Sequence, residues 1–538
     1  MSFVQNVPCF SILLAMFAAI ITSAVRGKTA RKICIGLTII EGGMSAWLLS
    51  FLWKTGESYV YVMGHFPAPW GNELRAGMLE AGMAFFLCVI MVLSLWGGVH
   101  EIREDLEADK AQFYYIMADL LLASLLALVY TNDMFTAYVF VEINTIAACG
   151  LIMMKQSDLT LAAAVRYMIM SLMGSGLLLI GICLLYDMTG HLLMSNIKEQ
   201  IISLATTETY HIPLLLTIGL ISIGLAIKSA LWPFHTWLPG AYGYSTVSSS
   251  AMLSSMVSKG YIFLLLKIIY RVIGADTFAG SHVINILFIF GIVGMVIGSL
   301  DAIRENNLKR MIAYSSVAQI GYIFMGIGIG TDAGVGAGMY HIFAHAASKA
   351  LVFIAASGLI RASGGKSRIQ DLAGAGFRNK LAGAGFVAGA LSMIGIPGFA
   401  GFASKLMFAQ ASLVKAELAI PVFMALAVST VLNAIYFMRV ALLIYTPDDV
   451  PLVDAVAGAF RLRENQKHSV RNVQPEGVLS PEGITGMAGT NAVAGSTARA
   501  DSLAYAAAIL LFIALNLFLG ICTQPVLQLI QRGLVIFG

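Results

Sequence analysis

Fourteen stretches of largely apolar residues, each near the length of a membrane crossing, divide this chain of 538 residues. A helix needs about 20 mostly apolar residues to cross a bilayer. The stretches fall near 8–25, 33–53, 76–99, 111–131, 133–154, 160–186, 212–232, 246–272, 282–303, 310–330, 334–360, 381–410, 418–445 and 503–531. The fold class they predict is all-α, a polytopic membrane protein of about 14 transmembrane helices. Only 12% of the residues are charged and 58% are hydrophobic, whereas soluble domains carry about 25% charge. A soluble enzyme is excluded. The net charge of +4 is spread along loops and argues against a nucleic-acid partner.

The first stretch has no basic leader and no convincing cleavage site, so it reads as the first helix rather than a signal peptide. Lysine and arginine set the orientation. Loops after odd-numbered stretches hold most of them, among them Arg26, Lys28, Arg31, Lys32, Arg103, Lys110, Lys155, Arg361 and Lys366; the opposite side holds only Lys54, Arg75, Lys198, Arg271, Lys415 and Arg532. By the positive-inside rule the odd loops face the cytoplasm and both termini lie outside. The expected location is the cell inner (plasma) membrane. Residues 446–501 are rich in Gly, Ala, Ser and Thr without apolar periodicity, which predicts a flexible cytoplasmic loop.

Several ionisable residues interrupt these apolar stretches. Glu142, Lys228, Lys259 and Lys405 each sit among apolar neighbours, and His341, His345 and Lys349 recur at four-residue steps, on one helical face. A Lys, Arg or Asp at a helix centre costs roughly +2.5 to +3.5 kcal/mol on insertion scales. A chain that accepts this repeatedly points to ion or proton movement. Lysine suits such work, because burial disfavours its charge and a neighbouring carboxylate restores it. Histidine titrates near neutrality and passes protons at either ring nitrogen.

Two stretches join such a lysine to a proline-driven break. Pro233 and Pro239 follow Lys228, and Pro397 precedes Lys405. Proline removes a backbone donor, and unpaired backbone at membrane depth survives only beside protein or water. The broken stretches are the seventh and twelfth. A spacing of five is odd, so a five-helix duplication places its copies in opposite orientations, as in many transporters. The predicted organisation is a three-helix segment (1–110), two five-helix repeats (111–272 and 282–445), the loop (446–501) and a C-terminal helix (502–538).

Some polar residues have plainer readings. Lys267 reads as snorkelling toward the interface, Asp133 and Asp187 as interfacial, and Trp232 and Trp237 as packing or interface anchors. Glu80 and Asp119 are candidates for ion access. The six cysteines are scattered without a CxxC or iron–sulfur spacing, so no redox centre or other cofactor is expected in the chain. His341 and His345 have no evident third ligand and lack the HExxH glutamate, so no metal site is expected.

The stretches NDMFTAYVFVEI, IKSALWPFHTWLP, ENNLKRMIAYSSVAQIGYIFMGIG, HIFAHAASKALVFIAASGLI and IPGFAGFASK resemble, in order, the antiporter-like subunits of the complex I superfamily. That group includes membrane subunits of respiratory complex I, large Mrp antiporter subunits and the membrane arms of energy-converting hydrogenases. The resemblance covers roughly residues 75–445. It implies inverted repeats at helices 4–8 and 9–13, with helices 7 and 12 broken. It further implies a proton pathway in which Glu142 pairs with Lys228, Lys259 is central, His341, His345 and Lys349 form a ladder, and Lys405 is the exit residue. Two departures stand out: Gly240 where relatives often carry an acid, and Gly398 in place of a second proline.

The function so implied is a proton-translocating subunit, with or without sodium coupling, of a redox-driven ion pump. It would not be catalytic alone and would partner homologous antiporter-like subunits and a redox module. The alternative is a subunit of an Mrp-type sodium/proton antiporter without redox chemistry. A structural scaffold that has lost transport is disfavoured, since it has no reason to keep costly charges at one depth.

Overall fold

The computed structural model describes residues 3–25, 27–66, 71–204, 211–447 and 491–537. Thirteen helices among them are long and apolar enough to cross a membrane. The twelfth predicted stretch is not one of these, because it is two half-helices, as its proline implies. In chain order the helices begin with α1 (Val7–Ala24) and α2 (Lys28–Thr55). A short antiparallel hairpin follows, β1 (Tyr59–Val62) on β2 (Glu73–Ala76), which apolar periodicity did not announce. Then come α3 (Met78–Gly97), the short α4 (Val99–Asp105), α5 (Ala108–Tyr130), α6 (Met134–Met153), α7 (Asp158–Thr189), α8 (Met194–Leu204) and α9 (His211–Lys228).

After Lys228 the chain breaks. A 3₁₀ turn (Phe234–Trp237) leads into α10 (Leu238–Tyr244). Pro233 lies in the break itself, and Ala230 there has φ +61°, a conformation that costs an L-residue energy. Pro239 does not break the helix as predicted. It stands in the first turn of α10, where the missing N–H is not needed.

The next crossing runs unbroken from Val247 to Ile273. It comprises α11 (Val247–Met252), a π-turn (Leu253–Val257), α12 (Ser258–Ile268) and a second π-turn (Ile269–Ile273). The short α13 (Ala275–Gly280) leads to α14 (Val283–Arg304), α15 (Leu308–Gly328) and α16 (Asp332–Ala362). Beyond α17 (Ala375–Arg378), α18 (Lys380–Ile394) and α19 (Ala400–Ser412) flank the second break, which contains Pro397. Helix α20 (Ala416–Leu443), α21 (Asn491–Ile521) and α22 (Thr523–Val535) complete the chain. The predicted loop thus ends earlier than 501, since 491–501 are already helical, and 448–490 lie outside the described residues.

Burial separates the core from the lipid-facing rim. The 247–273 crossing and α16 are buried throughout their apolar windows, while in α2 and α20 only 28% of the window is buried. A helix apolar all round and fully enclosed belongs at the centre of a bundle. Close approach of neighbouring helices relies on small residues, as is usual in membranes. A Cβ on Gly174 of α7 would lie 2.8 Å from the Gly224 carbonyl oxygen of α9, and one on Gly224 would lie 2.7 Å from that of Gly174. This contact sets Lys228 against α6 and α7. Lys267 corrects the snorkelling expectation. It is fully buried and donates to the carbonyls of Leu128, Val129 and Thr131 at the end of α5, where a cation complements the helix dipole.

Candidate functional site

Lys228 is the last residue of α9, so the break that follows leaves its cation at a helix C-terminus. Its Nζ has three donors to place. It donates to Thr145 Oγ1 at 2.8 Å and Ser171 Oγ at 2.9 Å, and the third neighbour is Glu142 Oε1 at 3.8 Å. The Tyr261 ring lies 5.4 Å from Nζ. Tyr261 donates to Asn144 Oδ1 at 2.9 Å, and Asn144 Nδ2 donates to Ser124 Oγ at 2.8 Å. Thr145, Ser171, Tyr261 and Asn144 were not singled out in the sequence. Thr145 sits one turn from Glu142, but a hydroxyl in an apolar stretch carries no mark of the partner it will meet.

Lys259 is fully buried beside the first π-turn. Its Nζ donates to the Ser254 carbonyl and to Ser258 Oγ at 3.3 Å, and no described carboxylate forms an ion pair with it. Interruptions of this kind in α-helices cluster at functional sites. The same turn is tied to α16, where Ser255 Oγ donates to the Ala346 carbonyl at 2.9 Å. The charge of Lys259 acts on His341, His345 and Lys349, so the ladder and the central lysine share one electrostatic environment.

On α16 the rings of His341 and His345 lie 5.8 Å apart and within 14° of parallel. His341 Nδ1 bonds Ser404 Oγ at 2.9 Å, while His341 Nε2 and both nitrogens of His345 are buried without a protein partner. Buried polar atoms are normally satisfied, so these three nitrogens are exceptions within the described residues. Lys349 donates to the Ile312 carbonyl at 2.6 Å and to Ser315 Oγ.

Lys405 completes the series. Its Nζ donates to the Ile394 carbonyl at 2.6 Å and to Thr430 Oγ1 at 2.8 Å. Ile394 ends α18. Lys228 precedes its break and Lys405 follows its own, yet each brings an ammonium to the C-terminus of a half-helix. The Tyr322 ring lies 5.3 Å from the His341 ring and 5.5 Å from Lys405 Nζ. Gly395, at φ +89°, leaves space that a Cβ would take from Lys405, whose Cδ would lie 2.9 Å away.

At the basic-loop end a cavity of about 600 Å³ opens beside this axis, with Glu101, Lys155, Lys309 and Arg361 in its wall. Lys309 Nζ donates to the Ser245 carbonyl at 2.5 Å, and Glu101 accepts from the Val247 N–H at 3.0 Å. Burial pushes the Glu101 carboxyl up, while Lys309 and Lys155 oppose that rise. One turn past Lys309, the Ile312 carbonyl accepts from Lys349. The described residues hold no cluster of ligands suited to a metal ion.

Fold and site together define a polytopic helical membrane protein with a buried cationic axis running between two interrupted crossings. Residues 131–433 match the family model of the NADH:quinone oxidoreductase/Mrp antiporter transmembrane region. The chain is 32% identical to NADH-quinone oxidoreductase subunit N of Desulforudis audaxviator, over 81% of this chain and 85% of that protein. It is 25% identical to a Na(+)/H(+) antiporter subunit of Bacillus subtilis, over 80% of this chain and 84% of that one. The fold is shared with a chain of the Mrp complex from Dietzia sp. DQ12-45-1b (TM-score 0.81, 23% identity, 99% and 97% of the two chains). It is shared as well with one from the membrane-bound sulfane sulfur reductase, an archaeal respiratory membrane complex (TM-score 0.79, 23% identity, 100% and 98%). The chain belongs to the NADH:quinone oxidoreductase/Mrp antiporter family. It is an antiporter-like membrane protein of the complex I superfamily, whose role is ion translocation.

Proposed function

We propose that the chain is the proton-translocating subunit of a complex I-related, redox-driven ion pump in the plasma membrane. On this reading it works beside homologous antiporter-like subunits and a redox module, with residues 111–272 and 282–445 as inverted halves, the basic loops in the cytoplasm and both termini outside. The observation that carries the reading is the loose Glu142–Lys228 contact of 3.8 Å at the head of a row of buried ionisable groups. While Glu142 is near, it stabilises the Lys228 ammonium. When it withdraws, the ammonium is left in a low-dielectric interior and its proton passes to Lys259. His345 and His341, with unpartnered nitrogens, relay it past Tyr322, and Lys405 releases it outside. Lys349, on the same face of α16, belongs to that relay.

A second reading rests on the likeness to the Bacillus subtilis antiporter protein: a sodium/proton antiporter subunit without redox chemistry. Both are tested by reconstituting the intact complex and its Lys228→Ala variant in proteoliposomes and following lumenal pH. Donor-driven acidification that the variant loses supports the redox-coupled pump. A response to a sodium gradient alone supports the antiporter. Unchanged transport in the variant would remove Lys228 from the pathway.

A further inference from the structure

Away from that axis, α1, α2, α3 and α5 pack together in the N-terminal part of the bundle and enclose two carboxyl groups. Glu41, midway along α2, is 1% exposed, and Asp119, midway along α5, is 2% exposed. Asp119 Oδ2 accepts from Thr22 Oγ1 at 3.0 Å. Both oxygens of Glu41 lack any hydrogen-bond partner. Ser45, one turn along α2 on the same face, also has a fully buried and unpartnered hydroxyl. No ion pair among the described residues involves Glu41 or Asp119. The titratable groups around Glu41 are Asp119, Cys34 and Cys88, and none of them is a cation.

Two carboxylates buried in one helix cluster, with no counter-charge among the described residues, cannot both stay ionised at low cost, and a buried acceptor left empty costs its full desolvation. A single proton resolves both problems, since a protonated carboxyl donates as well as accepts. A way in exists. A cavity of about 220 Å³ at the basic-loop end is walled by Lys28, Arg31, Arg103 and Tyr115. Tyr115 is one helical turn from Asp119, and Arg31 is one turn from Cys34.

We propose that Glu41 and Asp119 form a second membrane-embedded proton-binding site, separate from the Lys228–Lys405 axis and loaded from the basic-loop face through the Tyr115 cavity. A hydrophobic carbodiimide tests it, because the reagent modifies buried carboxyls only when they are protonated. The full chain in its native complex is labelled across a pH series, and the modified residues are located by mass spectrometry. The proposal expects labelling of Glu41 at neutral pH that falls as pH rises. In Asp119→Asn, which removes the like charge, the fall should shift to lower pH by roughly one unit. Labelling of neither carboxyl would overturn the proposal, and so would an unshifted profile in the variant. Suppression of labelling by sodium at constant pH would assign the site to a metal cation instead. The wild-type arm is decisive even if the variant does not assemble.

Discussion

Lys228 Nζ bonds the hydroxyls of Thr145 and Ser171 more closely, at 2.8 and 2.9 Å, than it approaches the Glu142 carboxylate at 3.8 Å. The ammonium is therefore held by neutral acceptors while its counter-ion stands at the edge of contact. Such a pair opens easily, and opening leaves the buried ammonium with neutral acceptors alone. Glu142→Gln should cost little folding stability, since the Glu142 side chain is 26% exposed. It should slow proton transfer by about tenfold or more, the effect of ~1.4 kcal/mol lost from one step. Proton flux and thermal unfolding on the same preparation separate the two effects; a variant that loses stability but keeps its flux would contradict this account.

Lys259 forms no ion pair with an acidic residue among the described residues, so no counter-charge offsets the cost of burying its ammonium. Lys259→Met keeps the length of the side chain and removes a buried ammonium. Apolar replacement of buried charge is often neutral or stabilising by about 1–4 kcal/mol. The expected result is an unchanged or higher unfolding temperature together with abolished transport. A fall in both would assign Lys259 to structure.

His345→Phe preserves an aromatic ring and deletes two buried nitrogens that have no partner. Stability should hold or rise, because an unmet buried polar atom costs about 1–3 kcal/mol. Transport should fall if a proton crosses this ring. Full flux in the variant would route the proton around α16.

Glu101 predicts a pH dependence. Burial holds its carboxyl above the usual carboxylate value near 4.5, so the folded chain binds this proton more tightly than the unfolded one. The resulting stability is present at pH below the unfolded value and is lost as pH rises through the interval up to the raised folded value. Glu101→Gln keeps an oxygen for the Val247 N–H and should flatten that part of a stability–pH curve recorded in detergent. An identical slope in both proteins would exclude Glu101 as its source.

Glu80 and Arg271 form a second buried pair, 1% and 2% exposed, and Arg271 Nε donates to the Phe537 carbonyl at 2.6 Å. Removing either partner strands the other, at a cost of about 3–5 kcal/mol, whereas replacing both with apolar residues can be nearly neutral. The double variant Glu80→Leu, Arg271→Met should therefore be more stable than either single variant. A double-mutant cycle measures the coupling.

The ladder His341, His345, Lys349 is legible in the sequence because four-residue spacing puts its members on one face. Lys228, Lys259 and Lys405 are legible because a cation in an apolar run is conspicuous. Glu41 carries the same signal as Glu142, a lone carboxylate in an apolar stretch, and a reading centred on the lysines passes over it. Thr145, Ser171 and Tyr261 are hidden for a different reason. Small hydroxyl residues are common in membrane helices, and nothing in their own segment says which helix they will face. The π-turn at Leu253–Val257 has no sequence mark, since its altered hydrogen bonding is settled by the helices packed around it.

The sequence alone determines the all-helical membrane class, the position of both breaks and the identity of the ionisable groups committed to the interior. Each depends only on local hydrophobicity, helical period and the chemistry of proline. Tertiary structure alone decided that Lys228 lies closer to hydroxyls than to its carboxylate. It also decided that Lys405 caps the helix before its own break, that Lys267 is enclosed and that Glu41 and Asp119 are both buried among α1, α2, α3 and α5. These pairings join residues far apart in the chain, and their geometry follows from how closely neighbouring helices pack, at contacts such as Gly174 against Gly224.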